Sequence, residues 1–163
     1  LLAYSGKGIA KNEDGSTTDV FGDLYARTLP DSSLAWSFAS FTPDVVVISL
    51  GGADLGDTIV LPAGFNSAYG ALVDTIRGHY PAAHIFCTVW SQIKSYNNAR
   101  QTMSAALQSV ISARASDTKL YYFEFPEANH DTDETGCEYH ANEAHHQAMA
   151  TLLAAQIKTK TGW

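Results

Sequence analysis

The sequence predicts a three-layer α/β/α sandwich built on a mostly parallel sheet, and two observations carry that expectation. Asp44–Gly51 (Asp-Val-Val-Val-Ile-Ser-Leu-Gly) is a continuous β-branched run rather than an alternating one, the pattern of a strand covered on both faces. Short apolar runs of this kind then alternate with stripes at helical spacing, and strand–helix alternation builds parallel sheets flanked by helices.

Taken in order, Leu1–Ser5 reads as the tail of a first strand and Lys11–Asp19 as a polar surface loop rich in Gly, Ser and Thr. After the Asp44–Gly51 strand, Phe65, Tyr69, Leu72, Val73, Ile76 and Tyr80 share one face of a helix that Pro81 ends. His84–Trp90 is the next apolar run, Met103, Leu107, Val110 and Ile111 mark a second helix, and Leu120–Phe125 is a further short strand. A last helix carries His145, Met149, Leu152, Leu153 and Ile157, with Asn142 available as N-cap and Gly162 near its end. A site in such a sheet forms from loops at the carboxyl ends of the strands, here those after Tyr4, Leu50 and Phe125.

A chain of 163 residues, 45% of them hydrophobic, is long enough for one substantial core, so residues 1–163 are expected to form a single domain. Lys plus Arg number 10 against 17 Asp plus Glu, a formal charge of −7, and no basic run is interleaved with aromatics, which argues against nucleic acid as a partner. No stretch approaches the ~20 apolar residues that cross a bilayer, and Leu1–Ile9 is too short and too Gly-interrupted for a signal peptide. Two cysteines, Cys87 and Cys137, make neither a disulfide scaffold nor a zinc site. One bridge or two buried thiols both remain open.

The run Gly136-Cys137-Glu138-Tyr139-His140 puts a histidine in a short acidic loop ahead of an amphipathic helix, which makes His140 a candidate general base. Tyr4-Ser5-Gly6-Lys7-Gly8 and Leu50-Gly51-Gly52-Ala53-Asp54 place glycines at expected carboxyl ends, where backbone N–H groups can approach a ligand, although a tight turn explains such glycines equally. His130, Asp131, Asp133, Glu134 and Glu138 invite a metal reading, and the Asp131, Asp133, Gly136 spacing faintly echoes a calcium loop, but its twelfth position is Asn142 instead of a bidentate glutamate, so a solvated acidic loop without metal is expected. Trp90, Trp36 and Tyr139 offer flat faces for sugar stacking, with Trp90 favoured over Trp36.

Together, Ala3-Tyr4-Ser5-Gly6-Lys7-Gly8, Pro43 to Gly52, Tyr80-Pro81 before Ile85-Phe86-Cys87, and Gly136 to His140 with His146, Met149 and Gly162-Trp163 resemble the SGNH or GDSL-type hydrolases. Among these they are most similar to the acetyl esterases of carbohydrate esterase family 2. The resemblance implies an ester-cleaving serine on an upstream Gly-Asp-Ser strand, His140 as base and Gly6 as an oxyanion N–H donor. It implies no cofactor, an acetylated polysaccharide such as xylan as substrate, and a secreted protein. Trp90, Tyr139 and Glu138 are its expected substrate contacts.

The departures are equally specific. The nucleophile segment, and with it a first strand, is expected to lie upstream of Leu1; Ala53 stands where the family has an oxyanion asparagine, and Ala141 where it usually has proline. Cys137 replaces the aspartate three residues before the histidine, as in family members where a backbone carbonyl orients the imidazole, and a Cys87–Cys137 bridge would brace that loop. One lost oxyanion donor costs about 10²–10³ in turnover, and a lost nucleophile about 10⁶ judged from a serine protease. The expectation is an esterase impaired in this chain, or alternatively a catalytically inactive carbohydrate-binding domain of the same fold.

Overall fold

The computed structural model describes residues 2–29, 31–56 and 59–163. In chain order the elements are α1 (Phe21–Leu24), β1 (Val45–Ile48), α2 (Gly52–Leu55), α3 (Phe65–His79), β2 (His84–Val89), α4 (Ala99–Ser112), β3 (Leu120–Glu124) and α5 (Glu143–Thr161). The strands form one parallel sheet in the order β1-β2-β3. Val45 pairs with His84 and Ile48 with Cys87, while Ile85 pairs with Leu120 and Val89 with Glu124. Every carboxyl end therefore lies along the same rim.

Side-chain alternation splits the sheet into two faces. Ile48, Ile85, Cys87, Val89 and Leu120 join the main core with Tyr69, Leu72, Val73 and Ile76 of α3 and Met103, Leu107 and Val110 of α4. Those helix residues recur at spacings of three and four, so each helix buries one stripe against this face. The opposite face is covered by α5, where Met149 and Leu153 meet Phe123, Phe125, Ala141 and Trp90. Lys160, near the far end of α5, lies over the Tyr121 ring at 5.8 Å from its centroid. Three layers result.

Coverage of β1 is less complete than its apolar run predicts. α5 lies over β2 and β3, and Val47 is left 41% exposed. Ser49, expected inside a buried strand, lies past the end of β1 and is exposed. Residues 2–5, expected as the tail of a strand, form coil leading into a turn, and Leu1 lies outside the described residues. A strand needs a ladder partner for its backbone, and among the described residues no segment pairs with the outer edge of β1.

The Cys87–Cys137 bridge does not form. Both thiols are free, Cys87 fully buried on the α3/α4 face of β2 and Cys137 exposed on the loop before α5. Burial pushes the Cys87 thiol up to about 12, so it is an inert packing group. Alkylation of the native protein without reductant is expected to label Cys137 rapidly and to leave Cys87 untouched until denaturant is added. Intact-mass analysis reads the difference as one added group against two.

Candidate functional site

His140 closes a tight loop. Its amide donates to the Cys137 carbonyl at 3.0 Å and its own carbonyl accepts from Gly136 N–H at 3.0 Å. Glycine is needed at 136, because a Cβ there would sit 2.9 Å from the His140 carbonyl and 3.0 Å from that of Ala141. Between these ends Glu138 and Tyr139 both adopt left-handed backbone, with φ of 51° and 60°. Consecutive non-glycine residues there cost about 1–2 kcal/mol each, so neighbouring contacts have to hold the loop.

Asn142 supplies several of those contacts. Its side-chain oxygen accepts from the His145 amide at 2.9 Å as the N-cap of α5, and its amide group donates to the Thr132 carbonyl at 2.7 Å and Thr135 Oγ1 at 2.9 Å. One residue thus fixes the start of α5 and the preceding loop together. Ala141 turns into the Phe125 and Met149 cluster.

The His140 ring is exposed, and its Nδ1 lies 2.9 Å from the Cys137 carbonyl oxygen. A carbonyl can only accept, so Nδ1 carries the proton and the neutral ring leaves the Nε2 lone pair free. That is the tautomer a general base needs, set by backbone instead of by a carboxylate. Tyr139 is 72% exposed beside it and stacks on His130 at 5.5 Å between ring centroids. Glu138 is exposed. His130, Glu138 and Tyr139 line a cavity of about 460 Å³ with Glu134, Thr135 and Gly136, and His140 borders it in sequence without lining it.

Trp90 directly follows β2 and is only partly exposed, packed against both core clusters. Its indole N–H donates to Gln92 Oε1 at 2.9 Å, and Gln92 Nε2 donates to the Tyr139 carbonyl at 2.9 Å. Arg100 of α4, buried beneath, donates to the carbonyls of Ile93 at 2.9 Å, Trp90 at 3.2 Å and Phe125, and pairs with Glu124 at 2.7 Å. Trp36 is remote in sequence and exposed.

The acidic stretch before His140 is not uniformly solvated, contrary to expectation. Glu134 is buried and pairs with Lys94 at 2.6 Å and His130 at 3.0 Å. Burial pushes its carboxyl upward, but the bonds from Lys94 and His130 prevail and hold it below the usual glutamate value. Among the described residues no group of three or more His, Cys, Asp or Glu side chains is arranged to hold a metal ion. No helix of the described residues is long and apolar enough to cross a membrane.

At the other end of the rim, Gly6 lies in a turn with φ of 70°. Its loop is tied to the loop after β1 by Asp54, whose side chain is 0% exposed. Asp54 Oδ2 accepts from Ile9 N–H at 2.8 Å, and Oδ1 accepts from Ala10 at 2.7 Å and Lys11 at 2.9 Å. Three successive amides converge as an anion-binding nest filled by the protein's own carboxylate. Gly8 is the residue that lets them approach, since a Cβ there would lie 1.9 Å from the Lys11 carbonyl and 2.7 Å from Asp54 Oδ2. Ala53, which the resemblance sets at the oxyanion position, is partly buried in the single turn of α2 beside it. A second cavity of about 510 Å³ opens next to this loop, lined by Tyr4, Lys7, Asp19, Arg27 and their neighbours.

The segment after Gly6 is tied through Asp54 to the turn after β1, and the His140 loop through Gln92 to the segment after β2; Tyr4 and Lys7 line one cavity, Glu138 and Tyr139 the other. Sequence reasoning missed Asp54, Arg100 and Gln92. The one available signal was an acidic residue inside a Gly-rich loop after a buried strand.

A parallel α/β sheet with a tautomer-fixed histidine at its carboxyl rim is the layout of a serine-type esterase. Residues 4–148 match the GDSL-like lipase/acylhydrolase family, and the chain belongs to it. Within that family it is 35% identical over 165 residues to the cellulase/esterase CelE of Acetivibrio thermocellus, covering 100% of this chain and 20% of that protein. It also superposes on an active-site mutant of a family two carbohydrate esterase from Clostridium thermocellum, with a TM-score of 0.89 at 34% identity, covering 99% of this chain and 49% of that one. A second structure of a family two carbohydrate esterase from that organism, in complex with cellohexaose, gives a TM-score of 0.87 at 34% identity over 97% of this chain and 48% of the other. The chain therefore spans about half the length of these solved relatives and a fifth of the curated one.

Asp54→Ala would strand three inward-facing N–H donors, so we expect a loss of about 3 kcal/mol or more, and about 1–3 kcal/mol for Asp54→Asn, which keeps one acceptor. Urea unfolding monitored by tryptophan fluorescence measures both. Equal midpoints for wild type and Asp54→Ala would overturn this account of the loop.

Proposed function

We propose that this chain carries the histidine half of a carbohydrate O-acetyl esterase that deacetylates xylan or a related plant polysaccharide. The observation that carries the reading is the Nδ1 contact of His140 with the Cys137 carbonyl at 2.9 Å, which leaves Nε2 free on an exposed ring. A serine hydroxyl is a poor nucleophile until such a nitrogen takes its proton. The negative charge that then develops on the ester carbonyl oxygen needs N–H donors, for which Gly6 is the assigned residue.

In this reading the serine enters on a Gly-Asp-Ser strand from a segment outside this chain, seated against the outer edge of β1. The outer edge of β1, unpaired among the described residues, supports that placement. Trp90, Tyr139 and Glu138 contact the polymer, whose size places the protein outside the cell. Ala53 presents a methyl group where an amide donor would assist, so turnover is lowered even with the serine present. A second reading, a carbohydrate-binding domain without catalysis, is favoured by that same methyl.

The test is a chain extended upstream through its natural Gly-Asp-Ser strand, assayed for acetate release from acetylated xylan and a chromogenic acetate. We expect measurable turnover, a drop of about 10³ or more for His140→Ala and a rise of about tenfold or more for Ala53→Asn. Binding of xylan or cellohexaose with no acetate released would sink the esterase reading and leave the binding domain.

A further inference from the structure

The geometry points to Gln92 as a positioning residue that sets His140 and Trp90 jointly: its amide oxygen accepts the Trp90 indole N–H at 2.9 Å while its amide nitrogen donates to the Tyr139 carbonyl at 2.9 Å. This rests on the reading of His140 as the base.

The bond to Tyr139 falls where the loop is least self-sufficient. Glu138 and Tyr139 hold left-handed backbone immediately before His140, and such residues relax to ordinary backbone unless outside contacts forbid it. Relaxation would swing the Cys137 carbonyl away from Nδ1, and the Cys137 carbonyl is what fixes the ring's tautomer. Gly136 and Asn142 hold the two ends of the loop, whereas Gln92 grips the left-handed stretch itself, from the segment that follows β2. That segment is anchored in turn by Arg100 through the carbonyls of Trp90 and Ile93.

A primary amide is the side chain that can do this, because it donates from one atom and accepts at another two bonds away. Glutamate in its place keeps the acceptor for Trp90 but turns an oxygen lone pair toward the Tyr139 carbonyl. Leucine keeps neither bond. A sugar ring stacking on Trp90 would therefore bear, through one amide plane, on the orientation of the imidazole, so substrate seating and base positioning are coupled at Gln92.

The experiment uses the full-length protein labelled at histidine and tryptophan, read by NMR without substrate, so that absence of esterase activity leaves the readout intact. In wild type, long-range proton–nitrogen spectra are expected to show neutral His140 protonated at Nδ1 alone, and the Trp90 indole N–H to exchange slowly. In Gln92→Leu, His140 becomes a mixture of both tautomers and Trp90 indole exchange accelerates about tenfold, the factor matching loss of one ordinary hydrogen bond. In Gln92→Glu near neutral pH, Trp90 stays protected while the His140 tautomers mix; titration below the glutamate range protonates the new side chain and brings the shift of the His140 backbone amide back to that of wild type at the same pH. An unchanged His140 tautomer in Gln92→Leu, or the same response in both variants with no recovery on acidification, would overturn the assignment.

Discussion

The arrangement of the rim depends first on the carboxylate of Asp54. Loops that leave a parallel sheet at its carboxyl end have no ladder to satisfy their backbone groups, and a buried unpaired N–H is costly. Asp54 answers for three of them at once, the amides of Ile9, Ala10 and Lys11. An isolated buried carboxylate would itself be prohibitive to desolvate, and the convergent amides are what make it tolerable. Each half is stable only because of the other. That mutual requirement fixes where the Gly6 loop lies relative to β1, with Gly8 as the residue that permits the approach.

The opposite side of the rim uses the complementary charge. Arg100 collects carbonyls from the segments after β2 and β3, and Lys94 donates to the Ala128 carbonyl at 2.7 Å while pairing with Glu134. A carboxylate for stray N–H groups and cations for stray carbonyls are the charged solutions, beside the neutral amides of Asn142 and Gln92. They let the candidate site be made of loops and still be held to fixed geometry. Gly6 and His140 are thus both referred to the sheet itself, one through β1 and the other through β2.

How much of this was legible in the sequence follows from what each residue touches. The stripe from Phe65 to Tyr80 and the one through Met103 and Val110 became α3 and α4 because helical spacing encodes burial directly. Asn142 and Gly162 bounded α5 as their chemistry requires. The covering of β1 was misread, since an apolar run states what a strand tolerates, not which neighbours arrive. The Cys87–Cys137 pairing failed because sequence separation carries no information on which side of a sheet a thiol faces. Asp54 escaped notice because its partners are backbone amides, and Arg100 and Gln92 because each joins backbone carbonyls to one side chain, Glu124 or Trp90, contacts that leave no trace in side-chain pattern. His140 was recognisable as a candidate base, but the carbonyl that orients it is a property of a fold and had to be taken from resemblance.

An imidazole oriented by a carbonyl is a different device from one oriented by aspartate. Both fix the tautomer, but the carbonyl carries no net charge and stabilises a nascent imidazolium less. An exposed ring such as that of His140 leaves water free to solvate such a charge directly. The burden then moves from electrostatics to orientation. An aspartate can follow a ring that shifts by a rotamer, whereas the Cys137 carbonyl points wherever the Glu138 and Tyr139 torsions send it. Precision in the orientation of the ring must therefore come from constraint on the loop, and Gly136, Asn142 and the residues after β2 are where the chain supplies it. A site that dispenses with the third carboxylate depends on its scaffold more, not less.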